Sequence, residues 1–219
     1  MNRSGSCMNK GFLFDWSGTL SNNFHSFYEV CVLIFRELGR KPPTVEQVRW
    51  EMTAPYMKFW NKYFPDLPKA RQDELYEKYI HQAAEPDLFE GAKEAVEFLH
   101  GLGYQLFVVS SDPILKLNQE VRKSGLAPLF KKVIGRSHEK ADTIISLIKE
   151  TPLIPEQSYF VGDMVGDVIA GRAAGLKTIS VSGGYEHRDE LIKAQPDFLV
   201  ERIAEIKNIV AIEMAGEKR

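Results

Sequence analysis

The sequence predicts an α/β protein: a parallel sheet covered on both faces by helices, interrupted after its first strand by an all-helical insertion. Three observations carry that expectation. Short apolar runs bounded by turn chemistry (Phe12 to Phe14, Gln105 to Val109, Tyr159 to Val161, Lys177 to Val181, Phe198 to Val200) read as buried strands. From Leu88 onward these runs alternate with helical stretches, the pattern of a parallel sheet. Between residues 21 and 87 no strand pattern occurs. The expected organisation is therefore a core from 10–20 and 88–219, a helical cap at 21–87, and a loose polar tail at 1–9.

Each element has its own signal. Phe12-Leu13-Phe14 delivers Asp15 to a turn that Gly18 makes permissive. Phe24, Phe27, Tyr28, Cys31, Ile34, Phe35 and Leu38 then recur at helical spacing, with Gly39 as a stop. Pro42-Pro43 breaks the chain, and Thr44 with Gln47 forms a capping-box pattern for a second helix. Met52 to Phe64 is aromatic-rich and broken by Pro55 and Pro65, and a further helix is expected from Lys69 to Ala84. Glu85-Pro86-Asp87 is the return linker. Beyond it, helices are expected at Ala92 to Leu99, Ile114 to Lys123, Ala141 to Lys149 and Val168 to Ala174. A short strand falls near Lys132 to Ile134. Because the insertion directly follows the turn of Asp15, it is placed as a lid over the crevice, where it would exclude water.

Composition narrows the function classes. The chain has 219 residues, 44% hydrophobic and 26% charged, in the range of a soluble globular protein. A net charge of −2 gives no sign of a nucleic-acid or membrane partner. Cys7 and Cys31 have no metal or redox spacing, and no apolar stretch has the length of a membrane span or the form of a signal peptide. A cytoplasmic monomer or homodimer is the expectation.

The chemistry lies at strand ends. Residues just past the carboxyl ends of parallel strands line the ligand crevice, which makes Asp15 a candidate nucleophile. Ser110, Lys140 and the pair Asp163 and Asp167 fall at corresponding positions. Clustered carboxylates repel one another, and a hard divalent cation relieves this. Asp15 and Asp163 suit magnesium, which binds through one or two carboxylates, waters and phosphate oxygens. Ser110, with Ser111 beside it, offers a hydroxyl and a backbone N–H to a phosphate oxygen. Lys140 offers charge to Asp15 and to a transferring group, and Asp167 can orient Lys140 or metal-bound water. Phosphoryl transfer needs chiefly such positioning and neutralisation.

With these residues assembled, the chain resembles the haloacid dehalogenase superfamily of phosphohydrolases, and within it the phosphoglycolate phosphatase-like branch. The likeness runs from Gly11 to about Ile209. Asp15-Trp16-Ser17-Gly18-Thr19-Leu20 is similar to the first motif, Phe107-Val108-Val109-Ser110 to the second, Lys140 to the third and Gly162-Asp163-Met164-Val165-Gly166-Asp167 to the fourth. The helical insertion after the first motif resembles the first type of cap in that family. The resemblance implies a Rossmann-like core, magnesium, and a phosphoryl group carried on Asp15. It also implies metal contacts from Asp15, the backbone carbonyl of residue 17, Asp163 and Asp167.

One position departs from the pattern. Ser17 stands where the family's phosphatases usually carry a second aspartate, the acid and base of the reaction. General acid–base catalysis typically contributes about 10²–10⁴-fold, or roughly 3–5 kcal/mol, so slower turnover is expected and Ser17→Asp is expected to raise it. Two other readings stay open. A carbon–phosphorus hydrolase of the phosphonoacetaldehyde type needs an imine-forming cap lysine, for which Lys58 is the candidate. A phospho-ligand-binding or regulatory protein of low turnover needs none. Tyr56, Phe59, Trp60, Tyr63 and Phe64 either shape a substrate pocket or pack the cap, packing being favoured, and His25 and His138 read as surface residues.

Overall fold

The computed structural model describes residues 9–53 and 56–216. The expected tail at 1–9 therefore lies outside the described residues apart from Asn9, as do Cys7 and Pro55.

The first strand, β1 (Gly11–Phe14), is buried along its whole length. Phe12 and Phe14 face one side of the sheet and Leu13 the other, each joining a separate core. This two-sided burial is why the run is continuously apolar. The remaining strands are β2 (Gln105–Val109), β3 (Phe130–Ile134), β4 (Tyr159–Gly162), β5 (Lys177–Val181) and β6 (Phe198–Val200). All pairings are parallel, in the order β3-β2-β1-β4-β5-β6. Chain direction across the sheet reverses at β1, where an open α/β sheet leaves its crevice.

Helices α1 (Phe24–Glu37), α2 (Val45–Glu51), α3 (Met57–Tyr63) and α4 (Lys69–Ile80) form the insertion. Phe24, Phe27, Val30, Cys31, Ile34 and Phe35 of α1 pack with Val48, Phe59, Trp60 and Leu75 into a core of their own. The Thr44–Gln47 capping box forms as its residues predict. The α4 helix ends at Ile80 rather than Ala84: residues beyond His81 turn toward α1, where Ser26 Oγ donates to the Ala84 carbonyl at 2.6 Å. The two chain crossings run side by side. Asn22 N–H donates to the Asp87 carbonyl at 2.8 Å and Phe89 N–H to the Leu20 carbonyl at 2.9 Å.

On the main sheet, α5 (Ala92–Gly101), α6 (Ile114–Lys123) and α10 (Ile206–Gly216) cover the Phe12 and Phe14 face. Helices α7 (Lys140–Lys149) and α8 (Val165–Ala173) cover the Leu13 face. A further helix, α9 (Arg188–Ala194), lies between β5 and β6. The sequence reading did not resolve α9 or α10. It also started α8 at Val168, three residues late, because Asp167 closes the helix start: its Oδ2 accepts from the N–H groups of Asp163 (3.2 Å) and Met164 (3.1 Å). A carboxylate satisfying otherwise orphaned amide donors permits the earlier start.

Candidate active site

Strand register builds the site. Phe14 lies opposite Val108 of β2 and Val161 of β4, so Asp15, Ser110 and Asp163 emerge at one edge of the sheet. The Asp15 N–H donates to the Val161 carbonyl at 2.8 Å, holding the residue at the strand end. Its neighbour Trp16 is buried, with its indole N–H donating to Glu120 Oε2 at 2.7 Å. The turn then folds back on Asp163. Gly18 has φ +80, and a Cβ there would lie 2.3 Å from Asp163 Oδ2, so both conformation and space demand glycine.

Asp15, Asp163 and Asp167 are at most 4% exposed, and one carboxylate oxygen from each lies within 4.8 Å of the others. Lys140, the first residue of α7, bridges two of them, at 3.0 Å from Asp15 Oδ1 and 2.6 Å from Asp167 Oδ1. Asp163 accepts from Thr19 Oγ1 at 2.9 Å and from the Tyr185 N–H at 2.7 Å. Asp15 Oδ1 is buried without a hydrogen bond of good geometry. Burial pushes Asp15 up to about 7; Lys140 opposes this, while Asp167 and Asp112 add to it. Burial, then Asp15 and Asp167, raise Asp163 as well. Lys140 is held charged: the two aspartates outweigh the cost of burying it. Three carboxylates facing one ammonium leave the cluster short of positive charge.

The predicted phosphate ligands lie beside it. Ser110 is buried, and its hydroxyl donates to Asp112 Oδ2 at 2.9 Å; the Ser111 hydroxyl is turned to the Ser137 carbonyl at 3.0 Å. Ser17 donates to the same Asp112 oxygen at 2.5 Å and accepts from Asn23 Nδ2 at 2.6 Å. Asp112 and Asn23 are therefore site residues that sequence reasoning missed. Asp112 stands two residues past Ser110, where an acid before proline reads simply as turn chemistry. Only the pairing of β1 with β2 brings it to Ser17. Thr19 and Tyr185 were missed likewise, since only the fold brings them to Asp163.

A cavity of about 650 Å³ separates this cluster from the insertion, with Asp15, Ser17, Ser110 and Lys140 in its wall. The cap aromatics divide. Phe59, Trp60 and Phe64 are buried in the cap core, while Tyr56 and Trp60 also reach the cavity. His25 is an exposed residue paired with Glu29 at 3.2 Å. His138 lies in the cavity wall, 5.6 Å from the Tyr56 ring. Lys58 is exposed and does not line the cavity. The cap lysine that does, Lys69, bonds Asp73 at 2.6 Å, and that bond and one to Tyr56 raise its pKa. An imine-forming amine must shed its charge, which these bonds hold on Lys69, while Lys58 lies outside the cavity wall.

A parallel α/β sheet carrying a buried carboxylate cluster under a helical lid defines a hydrolase of the capped, Rossmann-like class. The chain belongs to the haloacid dehalogenase-like hydrolases, whose family model matches residues 12–181. It is 25% identical over 206 residues to a phosphoglycolate phosphatase of Pseudomonas fluorescens, covering 87% of this chain and 76% of that protein. It is 27% identical over 210 residues to the pyrophosphatase PpaX of Anoxybacillus flavithermus, covering 91% of this chain and 96% of the relative. Among solved structures, a predicted phosphoglycolate phosphatase from Haemophilus somnus superposes with a TM-score of 0.79 at 21% identity, over 94% of this chain and all of that one. Among the described residues no helix is long and apolar enough to cross a membrane.

Proposed function

We propose that this protein is a magnesium-dependent phosphatase of a small phosphorylated metabolite, with Asp15 as the nucleophile. The observation that carries the reading is the charge deficit of the buried Asp15, Asp163 and Asp167 cluster at the cavity floor. Asp15 Oδ1, without a well-formed hydrogen bond, together with the carboxylate set and the backbone carbonyl of Ser17, suits a hard divalent ion. Bound there, magnesium supplies positive charge to the carboxylates and to the oxygens of the substrate phosphate.

The chain's own residues do the rest. Asp15, ionised, attacks phosphorus; the bond from phosphorus to the alcohol oxygen breaks and that oxygen takes a proton from water. A second water then attacks phosphorus, restoring the Asp15 carboxylate, releasing phosphate and giving up the proton that balances the first. Lys140 stays protonated and keeps Asp15 beside its target. Ser110 holds a phosphate oxygen through its hydroxyl, exchanged from Asp112, and Ser111 through its backbone N–H, since its hydroxyl is turned to the Ser137 carbonyl. Asp167 fixes Lys140 through the 2.6 Å ion pair. The cap closes over the cavity and keeps out bulk water. Buried, unpaired Cys31 accords with a cytoplasmic setting.

The test is phosphate release from a panel of phosphorylated metabolites with magnesium, using Asp15→Asn as the blank. Intact-mass analysis after rapid quenching should show one added phosphoryl group on the wild type and none on Asp15→Asn. Undiminished release by Asp15→Asn would refute the assignment.

A further inference from the structure

The cavity above Asp15 is walled differently at its depth and at its mouth. Inside, buried Phe27, Met52 and Trp60 of the insertion face the site, with Tyr56 and Tyr76 beside them. The cations in its wall, among the described residues, are Lys140, Lys69, Arg136 and His138. Lys140 is taken by Asp15 and Asp167. Lys69 is paired with Asp73 at 2.6 Å, and Arg136 faces Glu77 at 3.9 Å, both on exposed side chains at the mouth. His138 stands against Tyr56, and burial and nearby Lys69 lower its pKa, which disfavours the charged imidazolium.

A carboxylate carried close to the phosphate, as in phosphoglycolate, would thus enter an apolar space whose nearby ammonium is already committed to two aspartates. Burying such a charge without a partner is costly, whereas an uncharged ring or chain gains by leaving water.

We infer that the substrate's alcohol carries an uncharged apolar or aromatic group lodged against Met52, Tyr56 and Trp60, and that small carboxylated esters such as phosphoglycolate are poor substrates. This rests on the phosphatase reading and adds the substrate class to it. The leaving group departs from phosphorus toward the cap, so its body contacts that wall throughout the reaction.

The experiment compares kcat/KM for 2-phenylethyl phosphate, ethyl phosphate and phosphoglycolate with the full chain and magnesium. All three leave as aliphatic alkoxides, so differences report the cavity rather than the leaving group. The expected order is phenylethyl first and phosphoglycolate last, with at least about a tenfold span. Trp60→Ala should collapse the ratio of phenylethyl to ethyl ester, and Met52→Ala provides the same readout if the tryptophan variant does not fold. Phosphoglycolate matching or exceeding the phenylethyl ester overturns this inference alone, as does an unchanged ratio in the variants. Hydrolysis of none of the three, with wild type equal to Asp15→Asn, overturns the proposed function and this inference with it.

Discussion

The Ser17 hydroxyl donates to the Asp112 carboxylate at 2.5 Å, so an acid stands beside the position that lacks one. Lys116 flanks Asp112 at 3.7 Å and is itself paired with Glu120 at 2.6 Å, the residue that also receives the Trp16 indole N–H. The neighbourhood changes what restoring an aspartate should do. Ser17→Asp alone sets two carboxylates against each other, and like charges in close contact disfavour ionisation of both. We expect that variant to melt lower and turn over no faster than wild type. Combined with Asp112→Asn, which can donate to the new carboxylate and still accept from Ser110, it should hydrolyse alkyl monoesters at least about tenfold faster than wild type. Steady-state rates and thermal melts of both variants decide this, and a faster single variant would show that Asp112 does not constrain residue 17.

Lys140 is the sole cation in ion-pair contact with Asp15 and Asp167 among the described residues. Lys140→Met should cost about 3 kcal/mol in chelator, since removing one partner of a buried pair strands the other's charge. The loss should be larger at pH 8 than at pH 6. Asp15 already has a folded pKa of about 7, and without Lys140 it rises further. A carboxyl whose folded pKa exceeds its unfolded value favours the folded state at low pH and disfavours it as pH rises through that interval. Magnesium should restore part of the stability. Urea unfolding at the two pH values, with chelator and with magnesium, measures all three effects.

Much of this arrangement is legible in the chain because local signals agree with the global fold. Phe12-Leu13-Phe14, Gln105 to Val109 and Lys177 to Val181 are short apolar runs beside glycine or polar turns, and each is a strand. Asp15, Ser110, Lys140, Asp163 and Asp167 are legible as a group because each stands at or just beyond a strand's carboxyl end. What stays hidden depends on pairing across long separations. The meeting of Ser17 with Asp112 spans 95 positions, and that of Thr19 with Asp163 spans 144. Helix α10 was missed although Ile206, Ile209 and Val210 are buried. It follows a three-residue strand directly through the turn at Ile203–Glu205, with no glycine or proline to mark its start.

Gly184 is pressed against the carboxylate cluster. A Cβ there would lie 2.1 Å from Asp163 Oδ2 and 2.4 Å from its Cβ. Asp163 cannot retreat: it is fully buried and tied to Thr19 and to the Tyr185 N–H. Overpacking of this kind costs typically about 1–3 kcal/mol. Gly184→Ala should lose that much stability, and with it the rise in melting temperature expected of the wild type when magnesium is added. Gly101→Ala, at the end of α5 with nothing near its added methyl, should be neutral or slightly stabilising and serves as the control. Equal melts for the two variants would deny Gly184 its role.

Glu186 is, among the described residues, the remaining buried acid near the site, 7% exposed, and its Oε2 accepts from the Val165 N–H at the start of α8 at 2.6 Å. Burial, with Asp167 and Glu190 adding to it, pushes its pKa up to about 7, against the pull of the Val165 amide. The folded state therefore holds this proton more tightly than the unfolded chain does. Its contribution to stability is fullest below the ordinary glutamate value of 4.5 and declines by up to about 1.4 kcal/mol per pH unit until pH 7, where it levels off. Glu186→Gln keeps an acceptor for the Val165 amide and has no charge to bury. The stability of the variant minus that of wild type, from urea unfolding between pH 5 and 8 in chelator, should climb through this interval and flatten above it. The subtraction removes the titration that both proteins share, including that of Asp15. A difference that stays level across the range would mean that Glu186 is ionised in the folded protein throughout, with the Val165 amide outweighing its burial.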